Sequence, residues 1–260
     1  MNIGGISNIT FLINKKIIGC NKCTRLVSFR KKIDKELLDL FIESFNYIDT
    51  SDQKTAWCDI LKDLQSKTPM DRLLCGDVGF GKTEVALRAI VSVVSSGRCV
   101  FFLAPTTVLS DQHFITCKNR LSPLGINVEL LSRFRTKKQQ ELILGKLGDG
   151  HIDVLVGTHR LLGEDVSTKR LGMLVVDEEH RFGVSHKEYI RSLKKRVDVL
   201  TLTATPIPRT LQQSLVGIRD TSKIETPPTN RLPIKTYIKR FDWSPVVSSI
   251  KNELKRGGQV

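Results

Sequence analysis

No apolar run in this 260-residue chain approaches the roughly 18–20 residues of a membrane-spanning helix, so no membrane partner is expected. Paired cysteine motifs are also lacking. Cys20-x-x-Cys23 is half of a zinc or redox pattern, with no second cysteine or histidine pair nearby. A metal there is therefore disfavoured, and a reducing compartment is the simplest expectation. Cys75 and Cys99 fall in predicted core strands, where a thiol behaves as a small hydrophobe.

Acidic residues are scarce, since 27 Asp and Glu stand against 41 Lys and Arg, giving a net charge of +14. Such an excess indicates a polyanionic partner, nucleic acid first, or a basic surface that only keeps the protein soluble. The first 33 residues contain seven Lys or Arg and no acid, as a transit peptide can. Their two serines favour an irregular basic extension instead. The predicted location is the cytoplasm, with a plastid as the alternative.

One glycine-rich octapeptide fits the phosphate-binding pattern G-x-x-x-x-G-K-[ST] without a mismatch. An apolar run precedes it and a good helix former follows it, the arrangement that holds a nucleoside triphosphate. The glycines let backbone N–H groups face the phosphates, Lys82 would reach the β and γ oxygens, and the Thr83 hydroxyl would ligate Mg²⁺. The predicted nucleotide ligands are Gly76, Asp77, Val78, Gly79, Phe80, Gly81, Lys82 and Thr83.

Short runs that are apolar on both faces alternate with helical patterns from Leu73 onward, which predicts an α/β domain with a buried, mostly parallel sheet. The predicted strands are Leu73–Cys75, Cys99–Ala104, Val128–Leu131, Val154–Gly157, Met173–Val176 and Val197–Leu202. Helices are predicted over 35–45 and 52–65, the second one capped by Thr50 or Ser51. After the two prolines at 227–228, we predict a strand over Ile234–Ile238 and a helix over Val246–Leu254.

A second acidic element follows the apolar run Met173–Val176. Asp177 and Glu178 come at the expected carboxyl end of a strand, where open α/β sheets bind ligands. Asp177 would hold Mg²⁺ together with Thr83, and Glu178 would orient or deprotonate the attacking water. His180 would relay the state of the γ-phosphate, or it is simply a histidine at a helix start.

The strings GDVGFGKTEVA and DEEHRFG together resemble the motor of superfamily-2 helicases. The stretches LAPTTVLSDQHF, LLSRFRT, VGTHRLLG and LTLTATPIPRTL narrow the resemblance to the transcription-repair coupling factors of bacteria and plastids. The branched-DNA helicase RecG shares TATPIPRT and is the nearest alternative. The resemblance implies a RecA-like P-loop fold, ATP and Mg²⁺ as cofactors, and ATP hydrolysis coupled to movement on double-stranded DNA.

The resemblance also assigns roles to further residues. Gln53 would read the adenine edge, because an amide offers both a donor and an acceptor. The expected DNA contacts are Pro105, Thr106, Thr107, Gly157, Thr158, His159 and Arg160. The residues expected to couple hydrolysis to lobe movement are His180, Thr203, Ala204 and Thr205, with Arg209 as a functional or a surface arginine. The basic cluster Arg133, Arg135, Lys137 and Lys138 is either part of the DNA track or a solvated face.

The organisation expected from these patterns is a basic extension over 1–33, a leading helix over 34–51, a helicase ATP-binding domain over 52–228 and the start of a second RecA-like lobe over 229–260. Such motors hold ATP between two lobes, and the second supplies an arginine finger. The chain alone is therefore expected to bind ATP and hydrolyse it slowly. It is a fragment of a translocase, half of a split motor, or a DNA-binding module without turnover. The resemblance also implies RNA polymerase as a binding partner, through regions that this sequence does not contain.

Overall fold

A parallel β-sheet forms the centre of the computed structural model, which describes residues 34–194, 196–204, 219–228, 238 and 240–260. Its strands are β1 (Asp71–Gly76), β2 (Cys99–Leu103), β3 (Val128–Leu131), β4 (Val154–Gly157), β5 (Leu171–Asp177), β6 (Asp198–Thr203) and β7 (Asp220–Ile224). They lie in the order β3-β4-β2-β5-β6-β1-β7, and every neighbouring pair is parallel. The predicted RecA-like α/β fold with a parallel sheet is confirmed.

Helices cover both faces of this sheet. They are α1 (Lys35–Glu43), α2 (Ser51–Gln65), α3 (Lys82–Ser95), α4 (Thr107–Leu121), α5 (Lys137–Gly148) and α6 (Val184–Leu193). In one apolar core, the four helices α1, α2, α3 and α4 pack against one face of the sheet. In a second core, α5 and α6 pack against the other face. Alternate residues of the inner strands feed the two cores, since Val100 and Phe102 belong to the first and Cys99 and Phe101 to the second.

The six predicted strands are all present, with ends that differ by at most two residues. The seventh strand, β7, was not predicted, because its sequence Asp-Thr-Ser-Lys-Ile lacks an apolar run. It lies at the edge of the sheet and pairs with β1, where polar side chains are tolerated. Ser222 uses this position to accept a hydrogen bond from Arg72 and to donate one to Asp59.

The two predicted leading helices are also present. Thr50 caps α2, since its hydroxyl accepts from the backbone N–H of Gln53 and the Gln53 side chain accepts from the N–H of Thr50. Cys75 and Cys99 are buried as predicted, and burial raises the pKa of the Cys99 thiol to about 12. These thiols therefore act as core residues.

A buried ion pair ties α3 to the segment ahead of α2. The Arg88 guanidinium is 2% exposed and donates to both carboxylate oxygens of Asp49, each at 2.8 Å.

Replacing Arg88 with methionine leaves the Asp49 carboxylate largely buried and unpaired, so we expect a loss of about 3 kcal/mol in the free energy of unfolding. Urea unfolding followed by circular dichroism measures this loss. The matched control Arg191→Met, at an exposed position of α6, should change stability by less than about 0.5 kcal/mol; equal losses in the two variants would contradict the assignment.

The chain divides into two compact units, Met1–Thr229 and Asn230–Val260. In the second unit, helix α7 (Trp243–Lys255) begins after Asp242, whose carboxylate accepts from the N–H of Ser244. This helix confirms the one predicted over Val246–Leu254. The predicted strand over Ile234–Ile238, apart from Ile238 itself, lies outside the described residues, as do the basic extension over 1–33 and the Cys20–Cys23 motif. Within the described part of the chain, no helix is long and apolar enough to cross a membrane.

Candidate nucleotide site and nucleic-acid edge

The strand order divides the carboxyl edge of the sheet into two halves. In one half, β5, β6 and β1 lie side by side, so Asp177–Glu178, Thr203–Ala204 and the P-loop Gly76–Thr83 meet at their ends. In the other half, β3, β4 and β2 lie side by side and lead into the predicted DNA-contact segments. Ligands of parallel α/β sheets bind at this edge. One sheet therefore places a candidate nucleotide site next to a candidate nucleic-acid site.

Three glycines shape the P-loop, but for two different reasons. Gly79 and Gly81 have φ angles of 78° and 80°, in the left-handed region that side chains rarely adopt. A Cβ on Gly81 would also lie 2.3 Å from Nε2 of Gln53. Gly76 is required for close approach instead, because a Cβ there would lie 3.0 Å from the carbonyl oxygen of Ile224. The loop thus leads directly into α3, whose first residue is Lys82.

The Lys82 ammonium lies at the mouth of the P-loop. Its Nζ donates to the carbonyl oxygens of Gly76 at 2.5 Å and Asp77 at 2.8 Å. Burial lowers the pKa of Lys82, while the nearby carboxylates of Glu178 and Asp177 oppose that shift. The lysine is thus a half-buried cation held by loop carbonyls, which a phosphate oxygen can replace as acceptors.

Asp177 ends β5 and points toward the helix that follows β2. One of its oxygens, Oδ2, lies 2.9 Å from Nε2 of His113 on α4, and the side chains are 14% and 13% exposed. Among the described residues, the other oxygen, Oδ1, accepts no hydrogen bond. His113 lies within one of the motif strings, yet its position gave no sequence signal of a role, because a lone histidine on a helix has no diagnostic spacing.

Glu178 is held by the end of β6. The backbone N–H of Ala204 donates to Oε1 at 2.8 Å, and the Thr203 hydroxyl lies 3.3 Å from Oε2. Its backbone adopts φ 51° and ψ 56°, and it is the one non-glycine residue with positive φ in the described ranges. Non-glycine residues adopt this conformation at a cost, and such strained residues cluster at active sites and ligand-binding sites.

His180 lies next to Glu178, with its Nδ1 3.2 Å from Oε2 of that residue. The structure therefore brings three of the predicted coupling residues, His180, Thr203 and Ala204, around one carboxylate. Thr205 and Arg209 lie outside the described residues, and their roles stay predictions.

Gln53 lies beneath the P-loop and is 4% exposed. Its Nε2 donates to the carbonyl oxygen of Phe80 at 3.0 Å, and its Oε1 accepts from Thr50 as part of the helix cap. One N–H and one lone pair of the amide remain for a ligand. The sequence predicted an adenine contact and did not anticipate that Gln53 also fixes the P-loop to α2.

A cavity of about 450 Å³ opens beside the P-loop. Among the described residues it is lined by Cys75, Gly76, Asp77, Phe80, Ala204, Lys223, Ile224 and Glu225. The segment that follows β7 closes one side, because Oδ2 of Asp52 accepts from the backbone N–H groups of Glu225 and Thr226 and from the Thr226 hydroxyl. These hydrogen bonds, the Thr226 hydroxyl first, lower the pKa of Asp52. Neither Asp52 nor Lys223 was predicted from the sequence.

A partly buried polar network links the acidic element to the first strand. Glu179 accepts hydrogen bonds from Arg219 at 2.8 Å and from the Thr201 hydroxyl at 3.3 Å. Nε of Arg219 also lies 2.8 Å from Oδ1 of Asp71, whose other oxygen pairs with Lys194. Burial on its own would raise the pKa of Glu179, but the charge and hydrogen bond of Arg219, with smaller contributions from Lys194 and Thr201, lower the pKa overall. The two adjacent carboxylates therefore have different surroundings. Glu178 faces the P-loop half of the edge, whereas the charge of Glu179 is neutralised by Arg219.

The predicted DNA contacts come from adjacent strand ends. The N–H of Ala104, directly after β2, donates to the carbonyl oxygen of Gly157 at 2.8 Å, so the two predicted segments are in contact. Thr106 and His159 are exposed, whereas Gly157 and Thr158 are buried. A Cβ on Gly157 would lie 2.4 Å from the carbonyl oxygen of Leu131, which gives this glycine a packing role.

Two of the predicted contacts have intramolecular partners. The Thr106 hydroxyl caps α4 by accepting from the N–H of Leu109. Arg160 forms a bidentate ion pair with Asp165 at 2.7 and 2.5 Å. Of the basic cluster that follows β3, Arg133, Lys137 and Lys138 are exposed. These three exposed cations follow the end of β3, and their assignment to a DNA track or to a solvated face stays a prediction.

The donor set fits a magnesium ion bound together with a nucleotide. Mg²⁺ prefers oxygen ligands, and it usually takes one or two carboxylates plus substrate phosphates. Asp177 offers a carboxylate with one oxygen fixed, and Thr83 offers a hydroxyl at the second position of α3. Within the described residues, no group of three or more His, Cys, Asp or Glu forms a self-sufficient metal cage.

The parallel sheet, the glycine loop at the end of β1 and the acidic end of β5 define a RecA-like P-loop domain. The sequence profile of the DEAD/DEAH box helicases matches residues 50–214. The chain belongs to the DEAD/DEAH box helicase family.

Individual relatives place the chain more narrowly. It is 52% identical over 227 residues to the transcription-repair-coupling factor of Bacillus subtilis, covering 87% of this chain and 19% of that protein. It is 57% identical over 222 residues to a chloroplastic ATP-dependent DNA helicase of Arabidopsis thaliana, covering 85% of this chain and 27% of that protein. The structure of RecG bound to a three-way DNA junction superimposes with a TM-score of 0.77 at 34% identity, covering 95% of this chain and 34% of RecG.

These similarities confirm the resemblance seen in the sequence to superfamily-2 helicases of the coupling-factor type. They also set its extent, because the chain spans about a fifth to a quarter of the length of the curated relatives it matches.

Proposed function

We propose that this chain binds MgATP at the P-loop and serves as the first motor lobe of a DNA translocase of the transcription-repair coupling type. The observation that carries the proposal is the position of Lys82, whose ammonium lies at the mouth of the loop with Asp177 and Glu178 close enough to affect its pKa. The high identity to coupling factors supports the assignment of class.

The residues then take distinct roles. Lys82 exchanges its two loop carbonyls for phosphate oxygens, and the N–H groups of the loop face the same phosphates. Asp177 and Thr83 would hold Mg²⁺, and the metal would neutralise charge on the phosphates. Glu178 orients the attacking water, because the Ala204 N–H and the Thr203 hydroxyl fix its carboxylate.

The adenosine part is expected in the cavity beside the P-loop. Phe80 and Ile224 supply apolar surface there, and Gln53 offers its remaining amide valences from beneath the loop. Hydrolysis by the chain alone should be slow, since an arginine finger contributes about 10³–10⁵ in rate and the second lobe of such motors supplies it. We infer that a second lobe completes the site, in cis or in trans. An interaction with RNA polymerase remains part of the proposal for the whole protein.

Double-stranded DNA is the proposed track, bound through phosphate contacts along the ends of β3, β4 and β2. Binding should weaken steeply with salt, because each neutralised phosphate adds about −0.9 to the slope of log K against log salt. Replacing Arg133, Lys137 and Lys138 with glutamine should therefore make the slope less negative by about 2–3. Fluorescence anisotropy with labelled duplex, over a range of KCl concentrations, measures this change.

A matched control separates track residues from overall charge. Replacing Lys35, Lys54 and Lys62, all exposed on α1 and α2, with glutamine removes the same charge from another surface. We expect its slope to stay close to that of the unmodified chain. Equal slopes for the two triple variants would show that the basic segment after β3 is not part of the track.

A second candidate is a branched-DNA helicase, which the similarity to RecG bound to a three-way junction favours. The two proposals differ in their preferred DNA. A translocase lobe of the coupling type should bind a linear duplex and a three-way junction of equal length with similar affinity, whereas a junction-specific protein should prefer the junction.

The chloroplastic relative supports the plastid as the alternative to a cytoplasmic location. Import of a fluorescent fusion into isolated plastids would test this alternative.

A further inference from the structure

The contact between His113 and Asp177 joins two elements that are distant in sequence. β2 and β5 are neighbours in the sheet, with Leu103 opposite Val176, so the helix that follows β2 lies beside the end of β5. His113 lies about two turns into that helix, α4. Its Nε2 is 2.9 Å from Oδ2 of Asp177, and both side chains are largely shielded from solvent.

The chemistry of the pair fixes the direction of the hydrogen bond. A carboxylate only accepts, so the Nε2–H of His113 donates to Oδ2. The ring of His113 is itself held against Phe102, with ring centroids 4.5 Å apart. A carboxylate of aspartate otherwise rotates in a broad, twofold torsional well. The histidine therefore selects one orientation of the carboxylate and leaves Oδ1 for another partner.

Lys82 does not take this place. Although its charge is close enough to interact with Asp177, its ammonium hydrogen-bonds to the carbonyl oxygens of Gly76 and Asp77. Within the described residues, His113 is accordingly the group that donates a hydrogen bond to the Asp177 side chain. Glu178, the next residue, is fixed by a different element, the end of β6.

We propose that His113 is a positioning residue that orients Asp177 for Mg²⁺. The inference rests on the proposed function, because it requires that Asp177 serve the metal bound with ATP. Partners that hydrogen-bond to metal ligands set the orientation of those ligands, and their removal typically costs about 10–100-fold in metal affinity. The same helix begins directly after Thr106, so α4 connects this residue to a segment of the predicted DNA edge.

Two substitutions separate the hydrogen bond from the packing. His113→Leu keeps most of the volume against Phe102 and removes the donor, whereas His113→Gln keeps an N–H donor on a side chain of similar reach. The measurement is the MgCl₂ concentration that half-maximally strengthens binding of the fluorescent nucleotide mant-ATP to the 260-residue chain. Binding is also measured in EDTA, where Asp177 has no metal to hold.

We expect His113→Leu to raise the half-saturating MgCl₂ concentration by about 10-fold or more, and His113→Gln to restore it to within about threefold of the unmodified chain. Affinity in EDTA should be the same for all three. An unchanged Mg²⁺ requirement in His113→Leu, or an equal loss of affinity in EDTA, would overturn the positioning role while leaving the proposed function intact. If the unmodified chain bound mant-ATP with no response to Mg²⁺, the proposed function itself would fail, and this inference with it.

Discussion

Replacing Lys82 with alanine is expected to weaken ATP binding by roughly 100-fold, equivalent to about 3 kcal/mol. The lysine ammonium is a half-buried cation of the P-loop, and hydrogen bonds to charged groups contribute about 1.5–3 kcal/mol each. Alanine also removes the donor that holds the carbonyl oxygens of Gly76 and Asp77 together. Titration of the chain with mant-ATP in the presence of Mg²⁺ measures the effect.

Two controls bracket this result. Lys146→Ala removes a lysine that pairs with Glu129 at 3.3 Å, away from the P-loop, and it should leave ATP affinity unchanged. Lys82→Arg retains the positive charge and should fall between alanine and the unmodified chain. If the alanine variant bound ATP as tightly as the unmodified chain, with an intact circular dichroism spectrum, the phosphate-binding role of this loop would be wrong.

Replacing Glu178 with glutamine is expected to abolish hydrolysis while ATP still binds. The amide oxygen can still accept from the Ala204 N–H, so the side chain should keep its position, but an amide cannot take up a proton from water. General base catalysis contributes about 10²–10⁴ in rate, so the loss should be at least about 100-fold. Because turnover by the chain alone is expected to be slow, a single-turnover assay with radiolabelled ATP and duplex DNA is the suitable measurement.

The adjacent carboxylate provides the control for this prediction. Glu179 accepts from Arg219 and Thr201 rather than facing the P-loop, so Glu179→Gln should affect hydrolysis far less than Glu178→Gln. Should the two variants be equally impaired, Glu178 would have no special role in orienting water. Retained turnover in Glu178→Gln would assign the water to another residue.

The elements that the sequence predicted well are those in which the local structure restricts the residue types. Runs of mostly apolar residues predicted β1 to β6, because strands covered by helices on both faces carry few polar side chains. The P-loop is similarly constrained, because left-handed backbone at Gly79 and Gly81 and close approach at Gly76 each disfavour a side chain. The sequence did not predict β7, because an edge strand can carry polar residues. The position of β7 depends on its pairing with β1 rather than on its own composition.

Contacts between distant elements were the part that sequence could not supply. His113 and Asp177 are separated by 64 residues, and their meeting follows from the adjacency of β2 and β5, which strand composition does not reveal. The second function of Gln53 is similar, since its hydrogen bond to Phe80 depends on how α2 packs beside the loop. The bidentate pairing of Arg160 with Asp165 also lay beyond a motif-based prediction of DNA contacts.

Binding of MgATP is the first requirement of the proposed function, and isothermal titration calorimetry of the 260-residue chain with ATP measures it. Under this proposal we expect, in the presence of Mg²⁺, a single saturable site per chain, with a weaker affinity when EDTA replaces the metal. No saturable heat at ATP concentrations up to about the millimolar range, from a chain shown to be folded, would contradict it.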